Sequence, residues 1–145
     1  MLQDNPAFET LQDSYWSGIQ KGLKPLLSFQ PRSAAELAQA VTRSVKAQSA
    51  FATKSGGHGH ISGVSCSDGG IQFDLTKLNG ITINREASTV TVGTGNTWRV
   101  VYDTLQSQGL MAVGGRSADV GVGGFLLGGV WRLPFLSSNM PNNAS

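Results

Sequence analysis

Lys54-Ser55-Gly56-Gly57-His58-Gly59-His60 is a glycine turn that carries two imidazoles, and its reading decides the fold. Glycine lets a backbone bend without steric cost and lets a ligand lie directly against main-chain N–H groups. Further along stands a second glycine-rich run, Val120-Gly121-Val122-Gly123-Gly124-Phe125-Leu126-Leu127-Gly128-Gly129. Two such loops in one short chain suggest a large anionic cofactor, with a histidine placed beside it as a nucleophile.

Phe51-Ala52-Thr53-Lys54, just before the turn, has the composition of a short strand. Upstream, Leu26-Leu27-Ser28-Phe29 reads as another strand, closed by Pro31. Between them Ser33-Ala34-Ala35-Glu36 has the form of a capping box, and Leu37, Val41 and Val45 continue an apolar stripe. Ile71-Gln72-Phe73-Asp74-Leu75 supplies a third strand. A strand–helix–strand unit of this kind puts the glycine turn at a strand's carboxyl end, where such sheets bind ligands.

After the third strand the pattern changes. Ile81, Ile83, Val90 and Val92 alternate with polar residues around Asn84–Ser88, which predicts an antiparallel hairpin. Thr97 is placed to cap a helix with the face Trp98, Val101, Tyr102 and Leu105, stopped by Gly109. At the other end, Asn5-Pro6 opens a helix bearing Phe8, Leu11, Tyr15 and Ile19 and closing at Gly22. The expected fold is α+β: a small βαβ unit followed by an antiparallel α+β unit.

Composition narrows the function classes. The basic residues are scattered and the net charge is only +2, so no cationic stripe tracks a nucleic acid or a membrane surface. The longest apolar-plus-glycine run, Val120 to Trp131, is too short to span a bilayer. Cys66 is the sole cysteine, which excludes an internal disulfide. The first residues lack the basic and apolar regions of a signal peptide, which favours an intracellular location.

The glycine run is neither a Walker A loop, because Gly129 stands where lysine is required, nor a dinucleotide fingerprint, because its third glycine is misplaced. A competing explanation is tight backbone packing, with Gly124 and Gly128 on a helix pressed to a sheet. His58 and His60 would share one side of a strand and so are conceivable metal ligands. Cys66, Asp68 and Asp74 supply no ligand pattern to complete the set, so no metal is expected. No Gly-x-Ser-x-Gly elbow or Cys–His pairing is present. Asp74, Asp103 and Asp119 read as surface or capping residues, and Trp98 and Tyr102 as core.

The ordered set of motifs is more specific than any one of them. It runs from Tyr15-Trp16-Ser17 through Gln30–Leu37, Lys54–His58, Ile71–Leu75, Val90–Trp98 and Gly114-Gly115-Arg116 to Val120–Gly129. In that order it resembles the N-terminal PCMH-type FAD-binding region of the vanillyl-alcohol oxidase/p-cresol methylhydroxylase superfamily, in its berberine-bridge-enzyme-like branch. The resemblance implies that Lys54, Ser55, Gly56, Gly57, His58, Gly59 and His60 lie along the FAD pyrophosphate. It implies that Arg116, Ser117, Ala118, Asp119, Val120, Gly121, Gly123 and Gly124 approach the flavin and phosphates from the other side. His58 takes the position whose imidazole bonds covalently to the flavin 8α-methyl carbon in many members. Such proteins oxidise small molecules — alcohols, sugars or secondary metabolites — by hydride transfer to FAD.

Four departures qualify the expectation. Ser117 stands where members with a second, cysteinyl flavin bond carry cysteine. Leu27 and Ser49 occupy positions that form a disulfide in many secreted members. Val130 replaces a third glycine, and the resemblance fades beyond Gly129. The implied organisation is an N-terminal helical segment over 1–24, a partial FAD-binding domain over 25–130 and a divergent tail over 131–145. On this reading the chain is a truncated oxidoreductase, inactive alone, with its catalytic base elsewhere. The alternative is a non-catalytic flavin-binding or interaction fragment.

Overall fold

Three parallel strands make the first layer of the computed structural model, which describes residue 2 and residues 5–129. They are β1 (Leu27–Phe29), β2 (Phe51–Lys54) and β3 (Ile71–Asp74). β3 lies in the middle, in the order β1-β3-β2, so the helix joining β1 to β2 crosses over a strand that has not yet been made. The register pairs Phe29 with Phe73 and Lys54 with Asp74. Phe73 is buried between the rings of Phe29 and Phe51 at centroid distances of 6.4 and 5.3 Å.

The crossover helix is α3 (Ala34–Lys46), and it starts where the capping box places it. Ser33 Oγ accepts from Glu36 N at 3.1 Å. The reciprocal bond is displaced by one residue, because Glu36 Oε2 accepts from Arg32 N at 2.8 Å and not from Ser33 N. Leu37 and Val41 are half-buried while Val45, on the same stripe, is exposed.

The second layer is the hairpin of β4 (Ile81–Asn84) and β5 (Thr89–Val92), followed by α4 (Trp98–Gln106) and α5 (Val122–Leu127). The inward residues Ile81, Ile83, Val90 and Val92 pack on a core of Trp98, Val101, Leu105 and Val122. Gly109, at φ +66°, ends α4 as its left-handed residue. The architecture is the α+β arrangement expected: a parallel unit, then an antiparallel one.

The N-terminal helix differs from expectation. The single run over Pro6–Gly22 is two helices, α1 (Pro6–Asp13) and α2 (Gly18–Lys21). The break has tertiary causes. Tyr15 is buried with its phenol donating to Ser65 O at 2.6 Å, and Ser17 caps α2 by accepting from Ile19 N. Ile19 therefore faces solvent, and the fully buried Gln20 takes the inward position, donating its Nε2 to Ile61 O.

Candidate functional site

Loop 55–60 leaves β2 with no regular structure, so the strand that would have put His58 and His60 on one side does not form. Among the described residues, the amides of Gly56, Gly57, His58, Gly59 and His60 donate to no protein acceptor. Unpaired N–H groups clustered in one turn form an anion-binding concavity. Gly57 holds φ +67°, open to glycine and strained for other residues.

The second loop, 116–121, is held by the start of α4. Trp98 N donates to Val120 O at 3.0 Å and Arg99 N to Ala118 O at 2.7 Å. Thr97 makes no side-chain cap, contrary to expectation, because these carbonyls satisfy the helix's orphan donors. The amides of Val120, Val122 and Gly123 are engaged, by Ser117 O, Asn96 O and Ser55 Oγ respectively. Among the described residues those of Ser117, Ala118, Asp119 and Gly121 are not.

The two loops meet. A Cβ on Gly56 would lie 2.5 Å from Gly121 N, and one on Gly121 would lie 2.2 Å from Gly56 N. Ser55 Oγ stitches the contact, donating to Thr94 O at 2.6 Å and accepting from Gly123 N at 3.3 Å. Close packing thus belongs to Gly56 and Gly121. Gly124 is exposed, and among the described residues nothing lies within 4 Å of a Cβ built on it.

Lys54 beneath the first loop and Asp119 on the second are already paired. Lys54 is 3% exposed and pairs with Asp74, 1% exposed, at 3.2 Å. Its ammonium also lies 5.1 Å from the centre of the Tyr15 ring. Lys54 therefore underpins the first loop from inside. Asp74, read from the sequence as a surface or capping residue, does cap the turn at Thr76 but is buried in this ion pair. Asp119 is exposed and paired with Arg99 at 2.9 Å, and Arg116 is exposed.

The imidazoles separate in environment. His58 is half-buried and stacks on Trp16, with centroids 5.0 Å apart and planes 11° apart. His60 is exposed. Among the described residues no group of three or more His, Cys, Asp or Glu could hold a metal ion. Cys66 is fully buried beside Gln12 and Tyr15, and burial pushes its thiol pKa up. Among the described residues no helix is long and apolar enough to cross a membrane.

Sequence reasoning missed Trp16 and Tyr15, both outside the turn. Their signal was present in the Tyr15-Trp16-Ser17 triplet, but nothing local says that it reaches residues 58 and 65.

A parallel sheet feeding a glycine turn, met by a second loop with open amides, fits a cofactor whose centre is a pyrophosphate. It defines the class as a dinucleotide-cofactor domain. Residues 25–133 match the family model described as FAD binding domain, and the chain belongs to that family. It is 37% identical over 126 residues to an FAD-dependent monooxygenase of Aspergillus niger, covering 86% of this chain and 22% of that one. It is 34% identical over 137 residues to an uncharacterized FAD-linked oxidoreductase of Arthroderma benhamiae, covering 94% and 27%. The crystal structure of 6-hydroxy-D-nicotine oxidase from Arthrobacter nicotinovorans superposes with a TM-score of 0.76 at 28% identity, covering 84% and 26%. The chain spans about a quarter of the length of the relatives it matches. FAD is the cofactor these likenesses assign.

Proposed function

We propose that this chain supplies the phosphate-gripping part of an FAD-linked oxidoreductase acting on a small alcohol, sugar or secondary metabolite. The partial cofactor domain is assigned to 25–130 and the N-terminal segment to 1–24, whose helices Pro6–Asp13 and Gly18–Lys21 form an arm that braces it. FAD, when bound, would supply two-electron oxidation of the substrate.

The observation that carries the proposal is the Gly56–Gly121 contact, which brings two sets of unengaged amides to one place. The amides of residues 56–60 grip one side of the pyrophosphate, and those of Ser117–Asp119 and Gly121 the other. Lys54 and Asp74 hold the floor of the first turn. Ser55 ties the two loops together.

His58 is the tether. The bond joins an imidazole nitrogen to the flavin 8α carbon. His58 would hold the flavin through that bond, and the flavin itself would supply the two-electron oxidation that forming it requires. Ser117 provides no thiolate for a second link.

Flavin loading of the purified chain tests the reading. After incubation with FAD and acid precipitation, flavin fluorescence should stay with the protein. His58→Ala should release it and His60→Ala should keep it. A folded chain that binds no FAD would favour the non-catalytic interaction reading. Flavin retained equally by His58→Ala would refute the tether.

A further inference from the structure

A histidine is commonly oriented by a hydrogen bond on one ring nitrogen, which leaves the other to react. His58 has no such bond among the described residues, where its ring contact is with Trp16. Its chain neighbours Gly57 and Gly59 carry no side chain that could brace the ring. Among the described residues the ring's aromatic contact is the face of Trp16, parallel to within 11° at 5.0 Å.

Trp16 is itself 65% exposed, an unusual place for the largest side chain, yet its backbone is pinned on both sides. Tyr15 is 3% exposed and donates to Ser65 O. Ser17 is 7% exposed and caps α2, whose Gln20 donates to Ile61 O. The same arm therefore grips the far end of the 55–65 loop in two places and presents an indole to its histidine. Residue 16 also lies outside the stretch that the family model matches, 25–133.

From this geometry we infer that Trp16 is a positioning residue for His58: its indole face fixes the imidazole plane and leaves both ring nitrogens unengaged. The inference rests on His58 being the flavin tether. A stack holds a ring by its face, so neither in-plane lone pair nor N–H is consumed. A hydrogen bond would fix the ring equally well but would occupy one nitrogen.

The test uses the complete chain and two readouts. With two histidines in the sequence, His58→Gln assigns the imidazole proton resonances in NMR spectra without flavin. The His58 signals should be shifted upfield of those of His60 by the indole ring current. The shift should vanish in Trp16→Leu and persist in part in Trp16→Phe. The rate of acid-stable flavin attachment should fall about 2- to 10-fold in Trp16→Leu, the span that an aromatic pair sustains. Trp16→Phe, which keeps a flat face, should recover most of it.

Unshifted His58 signals in the wild-type chain would overturn the stack, whatever the flavin result. Lost shifts with an unchanged attachment rate in Trp16→Leu would overturn positioning and leave a packing contact. Normal shifts with no histidyl flavin in the wild-type chain would overturn the tether, and the role of Trp16 with it.

Discussion

Adding one methyl group at Gly56 or at Gly121 should uncouple the two loops. At Gly56 the new carbon would meet Gly121 N at 2.5 Å and Gly121 Cα at 2.6 Å. At Gly121 it would meet Gly56 N at 2.2 Å. Ordinary contact begins near 3.4 Å, so the backbones must part by about 1 Å. Both partners are main chain, and no rotamer change relieves the clash. The bond from Gly123 N to Ser55 Oγ, already 3.3 Å, cannot survive such a shift. Overpacking of this kind costs about 1–3 kcal/mol. Glycine 80 is the control: it has nothing within 4 Å and no positive φ, so Gly80→Ala should be neutral or stabilising by about 0.4–1 kcal/mol through the unfolded chain. Urea midpoints give the stabilities, and quenching of flavin fluorescence gives the FAD affinity. Both single variants should lose stability and affinity together. The double variant should cost less than the sum, since the first methyl already opens the gap that the second needs. Wild-type affinity in both Gly56→Ala and Gly121→Ala would refute the two-sided grip.

The buried ion pair gives a second test. Asp74→Ala should cost about 3–5 kcal/mol by leaving the Lys54 ammonium buried without a partner. A paired Lys54→Met/Asp74→Leu change should cost clearly less, and equal losses in urea melts would contradict this. Alkaline titration gives a third. Burial raises the pKa values of the Cys66 thiol and of the Tyr15 and Tyr102 phenols. The folded chain keeps these protons where the unfolded chain releases them. Their contribution is full below the ordinary thiol value of 9.0 and is lost as pH rises toward the higher folded values. The urea midpoint should therefore begin to fall near that value, and a midpoint flat into the phenol range would exclude the effect.

Local signals in the sequence were reliable where local chemistry decides. Ser33 and Glu36 start α3, Gly109 stops α4, and the alternation of Ile81, Ile83, Val90 and Val92 gives the hairpin. The failures share a cause. The spacing of Phe8, Leu11, Tyr15 and Ile19 is helical, but Tyr15 bonds Ser65, fifty residues away, and the helix breaks to let it. Thr97 has the chemistry of a cap, yet carbonyls from 118 and 120 take the donors first. Asp74 looks like any strand-end carboxylate until β3 lies beside β2 and pairs it with Lys54. Each miss is a long-range partner outbidding a local preference. The glycine loops were legible as loops, whereas their mutual contact through Gly56 and Gly121 was not, since no spacing rule encodes it.

The buried pair also explains why the turn begins where it does. Lys54 ends β2 and Asp74 ends β3, and the parallel register sets them opposite one another. Asp74 turns its own chain by accepting from Thr76 N at 2.9 Å. Lys54 lies under the other chain, where a Cβ on Gly57 would come within 2.9 Å of its Cε and 3.0 Å of the Tyr15 ring. Gly57 must therefore stay bare for two reasons, its positive φ and its floor. A residue with a side chain there would have to lift the loop off the ion pair and tilt the amides of 56–60 away from Gly121. The strand register, the charge pair and the arm carrying Tyr15 are one device: they fix the height of the first loop at which the second can touch it.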